Sequence, residues 1–223
     1  MTEKAPVPGN NLSELEKTNL ELKKALAEIE RLKRENTELE AEVRRLSIDA
    51  KTGLLGNDVL EPRLNFLIQE LNHQDKNRPS TLKAVMIIAL DMNGLKLFND
   101  RFSHAVGDQA LMALANRLRQ IVKMGDLVFR PKGGDEFTMI LPIKPFQQDS
   151  NEVDFDKIFQ RIQKAVNTDL SIEVDNETFP ITASMGYSVL SKGENKTPKE
   201  LLGEADEKER ANKKNIKNNN GNN

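Results

Sequence analysis

The N-terminal part of the chain repeats its hydrophobic residues at alternating steps of three and four positions. The hydrophobic members of this repeat are Leu12, Leu15, Leu22, Leu26, Ile29, Leu32, Leu39, Val43 and Leu46. Asn19 and Asn36 occupy its two other positions. Such a repeat places one apolar stripe along a helix and is typical of a coiled coil. We therefore predict a coiled-coil dimerisation helix over residues 12–47, preceded by a flexible lead-in over residues 1–11.

The long helix is predicted to pair with a second copy of itself in parallel. Asparagines at a-type positions lower the stability of a coiled coil, but they favour a parallel dimer in register because each amide pairs with its counterpart. The repeat is broken once, where Leu26, Ile29 and Leu32 follow one another at two steps of three. This stammer overwinds the supercoil locally, so two registers can compete. A lone solvated amphipathic helix is the alternative interpretation.

Beyond a linker that contains Gly53 and Gly56, helical and strand-like patterns alternate along the chain. Apolar residues at helical spacing occur in residues 59–71, 104–122, 155–166 and 199–217. Strand-like apolar runs occur in residues 85–90, 127–129, 137–141 and 181–189, the last of them entered through Phe179 and Pro180. This alternation, with a hairpin at its centre, predicts an α/β fold. The asparagine-rich end, residues 218–223, is predicted to be a disordered tail.

The composition is that of one ordinary soluble domain with an extension. The 223 residues include no cysteine, and 33 basic against 35 acidic side chains give a formal net charge of -2. The absence of cysteine excludes disulfides and thiolate metal sites and is typical of a reducing compartment. No apolar run is long enough to span a bilayer. We expect a cytoplasmic protein with no membrane or nucleic-acid partner.

Candidate chemistry begins where the apolar run 85–90 ends. The residues that follow are Asp91, Met92, Asn93, Gly94, Leu95 and Lys96. A carboxylate at the end of a buried strand can bind Mg²⁺, and a glycine lets backbone amides approach a phosphate. The nearby lysine adds positive charge. This segment therefore has the components of a magnesium–phosphate site.

A second acidic segment follows two consecutive glycines, Gly133 and Gly134. The glycines permit positive φ angles and predict a tight hairpin turn. Asp135 and Glu136 come next, and adjacent acids on a strand are costly to leave unpaired. A divalent metal or a proton-transfer role would explain them, whereas a solvated hairpin tip is the alternative.

The two segments together resemble a known family. An Asp-x-Asn-x-x-Lys-x-x-Asn-Asp run begins at Asp91, a Val-Gly-Asp step ends at Asp108, and the sequence GGDEF occupies residues 133–137. This order resembles the GGDEF family of diguanylate cyclases, which join two GTP molecules into cyclic di-GMP. The resemblance implies that residues 48–217 form a GGDEF domain. It also implies a ferredoxin-like fold of the nucleotidyl-cyclase and polymerase-palm kind.

The resemblance also implies roles for individual residues. Asp91, Asp135 and the Met92 carbonyl would bind Mg²⁺ or Mn²⁺, and Glu136 would act on the attacking 3′-hydroxyl as a base or as an orienting charge. The implied substrate-binding residues are Asn99 and Asp108 for guanine, and Lys96, Gly94, Leu95, Lys213 and Lys217 for phosphates. One GTP would lie in each half-site of a homodimer, so a monomer would hold half an active site.

Several residues depart from the family pattern. One extra residue lies between Arg130 and Gly133, and Lys51 replaces the leucine of the family's Asp-x-Leu-Thr-Gly-Leu motif in the linker. In the last helix, Glu209 and Arg210 stand where the family has an apolar residue and a tyrosine. The phosphate contacts of Lys217 would be weaker than those of the family's arginine. These departures keep open an alternative function, a catalytically silent module that binds nucleotide or a protein partner.

The family's product-inhibition motif, Arg-x-x-Asp, appears here in a degenerate form from Lys123 to Asp126. A lysine cannot make the bidentate and stacking contacts of an arginine with phosphate and guanine. We therefore expect only weak inhibition by cyclic di-GMP.

Overall fold

The computed structural model describes residues 11–73, 81–131, 133–144 and 153–220, with side chains described at all of these except 11–14, 39–46 and 217–220. The chain divides into two compact units, residues 1–46 and residues 47–223. Each unit is described by itself.

The described part of the first unit is a single long helix, α1, from Asn11 to Leu46. Its 36 residues span about 54 Å at 1.5 Å per residue. The apolar side chains of its stripe that the structure describes, Leu15, Leu22, Leu26, Ile29 and Leu32, are exposed in the single chain, from 47% at Ile29 to 62% at Leu15. A helix with such a stripe gains stability only when a partner covers it.

The second unit combines helices with one main sheet and a small hairpin. Its helices are α2 (Asn57–Leu71), α3 (Leu95–Arg101), α4 (His104–Ile121), α5 (Phe155–Asn167) and α6 (Pro198–Asn220). Its strands are β1 (Ala84–Met92), β2 (Leu127–Phe129), β3 (Glu136–Ile143), β4 (Ser171–Val174), β5 (Glu177–Pro180) and β6 (Ala183–Ser191). The main sheet has the antiparallel order β2-β3-β1-β6, and β4 pairs with β5. This order confirms the predicted α/β, ferredoxin-like fold.

The central strand β1 is apolar from Ala84 to Leu90 because both of its faces are covered. Met86, Ile88 and Leu90 lie in a core shared with α4 and α5. Val85 and Ile87 face the other way, into a core shared with α2 and α6. Successive side chains of a strand point to opposite faces, so a strand between two helical layers shows no polar alternation.

The strand predicted at residues 181–189 begins later than expected, at Ala183. Pro180, predicted to lead into that strand, instead ends β5, which pairs with β4. Asp175 and Asn176 turn this hairpin with φ angles of 52° and 63°. Asp and Asn tolerate this left-handed conformation. The Asp-Asn pair was therefore a turn signal in the sequence that the prediction missed.

The predicted disordered tail is partly wrong. Helix α6 continues to Asn220, so residues 218–220 are helical, and residues 221–223 lie outside the described residues. Asparagine is a poor helix former, but no proline or glycine interrupts the chain between Gly203 and Gly221. Adding a residue to an existing helix costs much less than starting one.

Candidate functional site

The signature turn joins β2 to β3 and brings the two acidic segments together. Gly133 and Gly134 adopt φ angles of 68° and 66°, as the hairpin prediction requires. Asp91 lies opposite Glu136 in the pairing of β1 with β3. The Met92 amide donates a hydrogen bond of 2.9 Å to the carbonyl oxygen of Asp135. Asp91 and Glu136 therefore lie next to each other at one end of the sheet, and Asp135 is the neighbour of Glu136 in the chain.

The Asp91 carboxylate is largely buried and is paired with a lysine. Its side chain is 14% exposed, and Lys213 Nζ lies 2.5 Å from its Oδ1 atom. Burial raises the pKa of Asp91, and repulsion from Asp135 and Glu136 adds to this effect against the hydrogen bond from Lys213. A cation thus already lies against the acid that the sequence predicts as a metal ligand.

The predicted metal ligands suit Mg²⁺ or Mn²⁺ by their chemistry. The carboxylates of Asp91 and Asp135 and the carbonyl of Met92 are hard oxygen donors, which Mg²⁺ prefers. Among the residues that the structure describes, no three His, Cys, Asp or Glu side chains are grouped closely enough to hold a metal. Mg²⁺ usually keeps several waters or phosphate oxygens, so two carboxylates and a carbonyl are sufficient. The ammonium of Lys213 beside Asp91 is the observation that supports the fit.

Asn93 fixes the segment that is predicted to bind phosphate to the start of β6 and to the residue before it. Its backbone amide donates to Thr182 O at 2.8 Å, its Nδ2 donates to Thr182 Oγ1 at 3.1 Å, and its Oδ1 accepts from Ser184 Oγ at 2.8 Å. Gly94 follows with a φ angle of 78° at the start of α3. The first amides of a helix lack intrahelical acceptors, and here they belong to Leu95 and its neighbours.

The other phosphate-binding candidates are lysines. Lys96 is exposed in the first turn of α3, whereas Lys213 is held against Asp91. Burial acts to lower the pKa of Lys213, but Asp91 and the other nearby acids outweigh it and raise that pKa. The side chain of Lys217 lies outside the described residues.

Of the two predicted guanine-binding residues, Asn99 packs against Gly107, the residue that precedes Asp108. Gly107 precedes Asp108 in α4, and a Cβ atom at Gly107 would collide with Oδ1 of Asn99. The missing side chain at Gly107 therefore lets Asn99 approach the Asp108 segment closely. Lys51, from the linker, makes a short ion pair with Oδ1 of Asp108. Sequence reasoning missed this contact, because it joins residues far apart in the chain.

The linker is tied to the signature turn by Arg130. Its side chain is 4% exposed, donates to the Asp49 carboxylate at 2.9 and 3.1 Å, and donates to Gly134 O at 2.6 Å. Asp49 also accepts from the amide and hydroxyl of Thr52 at 2.8 and 2.6 Å. Burial acts to raise the pKa of Asp49, but the hydrogen bonds from Thr52 and Arg130 outweigh it and lower that pKa. Lys132, beside the extra residue of the hairpin, lies outside the described residues.

One of the departures from the family pattern in α6, Glu209, places a carboxylate near Asp91. Glu209 is 7% exposed, and its Oε1 atom has no hydrogen-bond partner. Burial raises the pKa of Glu209, and the nearby charge of Asp91 adds to this effect. A cavity of about 170 Å³ is lined by Asp91, Glu136, Glu209 and Arg210 among others. Glu209 thus adds negative charge to a site that is already acidic.

The degenerate inhibitory motif lies at the other end of the sheet from Asp91. Lys123 and Asp126 precede β2, whose first residue, Leu127, pairs with Ile140. The Lys123 amide donates to Asp126 Oδ2 at 2.8 Å. Burial raises the pKa of Asp126, against the effects of Lys123 and of the Arg161 guanidinium. The structure therefore keeps this motif separate from the acidic site.

Comparison with known proteins agrees with the fold. The profile of the family described as "Diguanylate cyclase, GGDEF domain" matches residues 46–219. The chain belongs to the GGDEF domain family of diguanylate cyclases.

Two curated relatives show the range of similarity. The probable diguanylate cyclase DgcJ of Escherichia coli K12 is 39% identical over 93 residues, which are 42% of this chain and 17% of that protein. The response regulator PleD of Caulobacter vibrioides NA1000 is 35% identical over 124 residues, which are 55% of this chain and 26% of that protein. The chain thus matches only a minor part of the length of these relatives.

Two solved structures share the fold. The diguanylate cyclase SiaD of Pseudomonas aeruginosa, in complex with its activator SiaC, has a TM-score of 0.59 and 26% identity, covering 91% of this chain and 76% of that chain. The coiled coil and GGDEF domain of DgcB from Caulobacter crescentus, in complex with c-di-GMP, has a TM-score of 0.63 and 22% identity, covering 89% of this chain and 95% of that chain. In the described ranges, no helix combines the length and apolarity needed to cross a bilayer.

Proposed function

We propose that this chain is a diguanylate cyclase that condenses two GTP molecules into cyclic di-GMP and pyrophosphate across a homodimer. The observation that carries the proposal is the meeting of Asp91 with Glu136 across β1 and β3, beside Asp135 and Lys213. Family membership supports the same reaction.

Each domain would bind one GTP. Asp108 accepts hydrogen bonds from guanine N1–H and N2–H, with Asn99 beside it, a pairing that favours guanine over adenine. The amides at Gly94 and Leu95, with Lys96, bind the phosphates. With Asp91 engaged in holding the metal, Lys213 would be released from Asp91 and would contact a phosphate oxygen.

Asp91, Asp135 and the Met92 carbonyl would hold Mg²⁺ or Mn²⁺. When bound, the metal supplies positive charge that stabilises the leaving pyrophosphate. Glu136 accepts a hydrogen bond from the 3′-hydroxyl and orients it, or removes its proton. Phosphoryl transfer of this kind depends mainly on positioning and on charge stabilisation.

The homodimer supplies the second half of the reaction. In each half-site the 3′-hydroxyl must reach the α-phosphate of the GTP that the other domain binds. The exposed apolar stripe of α1 supports a parallel coiled coil, termed the rod below, that keeps two domains together. The rod would then determine both dimerisation and the approach of the half-sites.

A catalytically silent nucleotide-binding module is the second candidate. The buried Glu209, where the family has an apolar residue, favours it because the added negative charge opposes the binding of triphosphate. This candidate predicts GTP binding without turnover. A coiled-coil scaffold would bind no GTP at all.

Incubation of the protein with GTP and Mg²⁺, followed by chromatography, tests the proposal. We expect cyclic di-GMP from the wild type and a loss of at least about a hundred-fold in Asp135→Asn and Glu136→Gln, because both remove charge at the reacting groups. Glu173→Gln, an exposed change on β4, is the matched control and should keep full activity. GTP binding without cyclic di-GMP at micromolar protein would support the silent module instead.

A further inference from the structure

Lys51 makes a side-chain contact to which the proposed reaction assigns no role. It belongs to the linker turn, and its ammonium group forms an ion pair with Oδ1 of Asp108. The two side chains are 42% and 39% exposed. The turn itself is held in place, since Thr52 bonds to Asp49 and Arg119 donates to the Thr52 carbonyl. Lys51 therefore extends from a fixed backbone towards the residue that would read guanine.

The ion pair between Lys51 and Asp108 is not explained by a contribution to the stability of the fold. A pair as exposed as this one contributes little to folding, because water and salt screen it. A carboxylate offers about four acceptor sites, so Asp108 can keep Lys51 while it accepts from a base. The lysine would then remain beside the base edge that Asp108 contacts.

Guanine presents three groups on that edge in the order O6, N1–H and N2–H. Asp108 can accept from the two N–H groups, but a carboxylate repels O6 because both are acceptors. An ammonium at the Oδ1 atom of the same carboxylate supplies the missing donor. Adenine carries an amino group in place of O6, and a cationic donor would reject it.

We propose that Lys51 is a guanine-specificity residue that donates a hydrogen bond to O6 while Asp108 accepts from N1–H and N2–H. The inference rests on the proposed function, because it requires GTP at Asp108. Lys51 replaces a leucine of the family motif, so this contact would be a property of this chain.

The test measures Kd for two non-hydrolysable nucleotides with a methylene group between the α- and β-phosphates. One carries guanine, and the other carries 6-thioguanine, which keeps N1–H and the N2 amino group but has sulfur, a much weaker hydrogen-bond acceptor, in place of O6. The full chain is compared with Lys51→Leu and Lys51→Arg, and Lys164→Leu on an exposed position of α5 is the matched control.

We expect Lys51→Leu to weaken binding of the guanine nucleotide about ten-fold and to weaken binding of the 6-thioguanine nucleotide much less, because a charge-assisted hydrogen bond to O6 is lost. Lys51→Arg keeps a donor and should stay within about three-fold of the wild type. Lys164→Leu should change neither value.

Other outcomes overturn the inference. Equal weakening for both nucleotides would mean that Lys51 acts only through Asp108, and tighter binding of both would mean that Lys51 blocks the site. If the wild type forms cyclic di-GMP while Lys51→Leu binds the guanine nucleotide normally, the inference fails and the proposed function stands. If the wild type does not bind the guanine nucleotide, both fail.

Discussion

Glu209 is a buried carboxylate at a position where the family has an apolar residue, and this difference affects the stability of the protein. It lies on the buried face of α6, and its Oε1 atom has no hydrogen-bond partner. A buried polar atom without a partner costs about 1–3 kcal/mol. The family's apolar residue at this position avoids that cost.

Glu209→Met should therefore stabilise the protein by about 1–3 kcal/mol, which is roughly 2–10 °C in melting temperature for a chain of this size. Thermal unfolding followed by circular dichroism measures the change, and Glu207→Met on the exposed face of the same helix is the control. A melting temperature equal to or below that of the wild type would show that Glu209 has a stabilising partner.

The gain from Glu209→Met should also depend on pH. The pKa of Glu209 is raised in the folded state, so the wild type recovers stability as the pH falls through that raised pKa and the side chain becomes neutral. The difference in melting temperature between the variant and the wild type should shrink on acidification. A difference that grows in acid would show that burial of the charged carboxylate is not what destabilises the wild type.

Gly107 is predicted to act through Asn99. An alanine Cβ at this position would collide with Oδ1 of Asn99, which must then move away from Asp108. Gly107→Ala should weaken GTP binding about ten-fold, while helix propensity keeps the free energy of unfolding within about 1 kcal/mol of the wild type. Gly203→Ala, where a Cβ would meet no atom within 4 Å, is the control for both measurements. Unchanged GTP affinity would remove Asn99 from the proposed guanine site.

Among the structural elements, the linker and the signature hairpin form one unit through Arg130. Its guanidinium bonds to both Asp49 and Gly134, and Leu55 also pairs with Phe129 in β2. A movement at the end of the linker would therefore reach the turn that carries the proposed catalytic acids. This connection gives a physical route from the linker to the site.

Asp49→Ala should destabilise the protein by about 3 kcal/mol, because it leaves the buried guanidinium of Arg130 without its carboxylate partner. Chemical denaturation measures this loss, and Asp58→Ala, an exposed change in α2, is the control. Because the pKa of Asp49 is lowered, the stability that it contributes is present above the ordinary aspartate range and is lost as the pH falls through the lowered pKa. The free energies of unfolding of the wild type and of Asp49→Ala should therefore converge in strong acid. A difference between them that stays constant with pH would contradict this.

The rod offers a separate prediction. Asn19→Leu combined with Asn36→Leu should strengthen the dimer, because buried asparagines cost stability, and should change turnover if rod geometry sets the approach of the half-sites. Analytical ultracentrifugation and GTP turnover measure the two effects. Lys24→Leu, on the outward side of the same repeat, should change neither. A stronger dimer that turns over GTP at the wild-type rate would make the rod a passive clamp.

The sequence predicted those strands and turns whose residues show a clear local pattern of apolar side chains or glycines. The unbroken apolar run at the start of β1 indicated burial on both faces, and Gly133 with Gly134 indicated the hairpin. The short β4–β5 hairpin was missed because its strands are half exposed and show little pattern. The contacts of Lys51 and Asn93 could not be predicted, since each depends on a partner distant in sequence.

At the level of the complete dimer, the proposed reaction requires two domains to act together. Each domain gathers one set of acids and one guanine site, whereas cyclic di-GMP contains two phosphodiester bonds. Both bonds form only if each half-site is intact. A dimer with one damaged half-site should therefore form no cyclic product.

The requirement for two intact half-sites is tested by the rate of cyclic di-GMP formation from GTP and Mg²⁺ in mixtures of wild type and Glu136→Ala. The two chains are refolded together at known ratios, so that dimers form at random. The rate should fall with the square of the wild-type fraction, because only dimers with two intact half-sites complete the ring. A rate that falls linearly with that fraction, or a wild type that forms no cyclic di-GMP, would contradict catalysis by two cooperating domains.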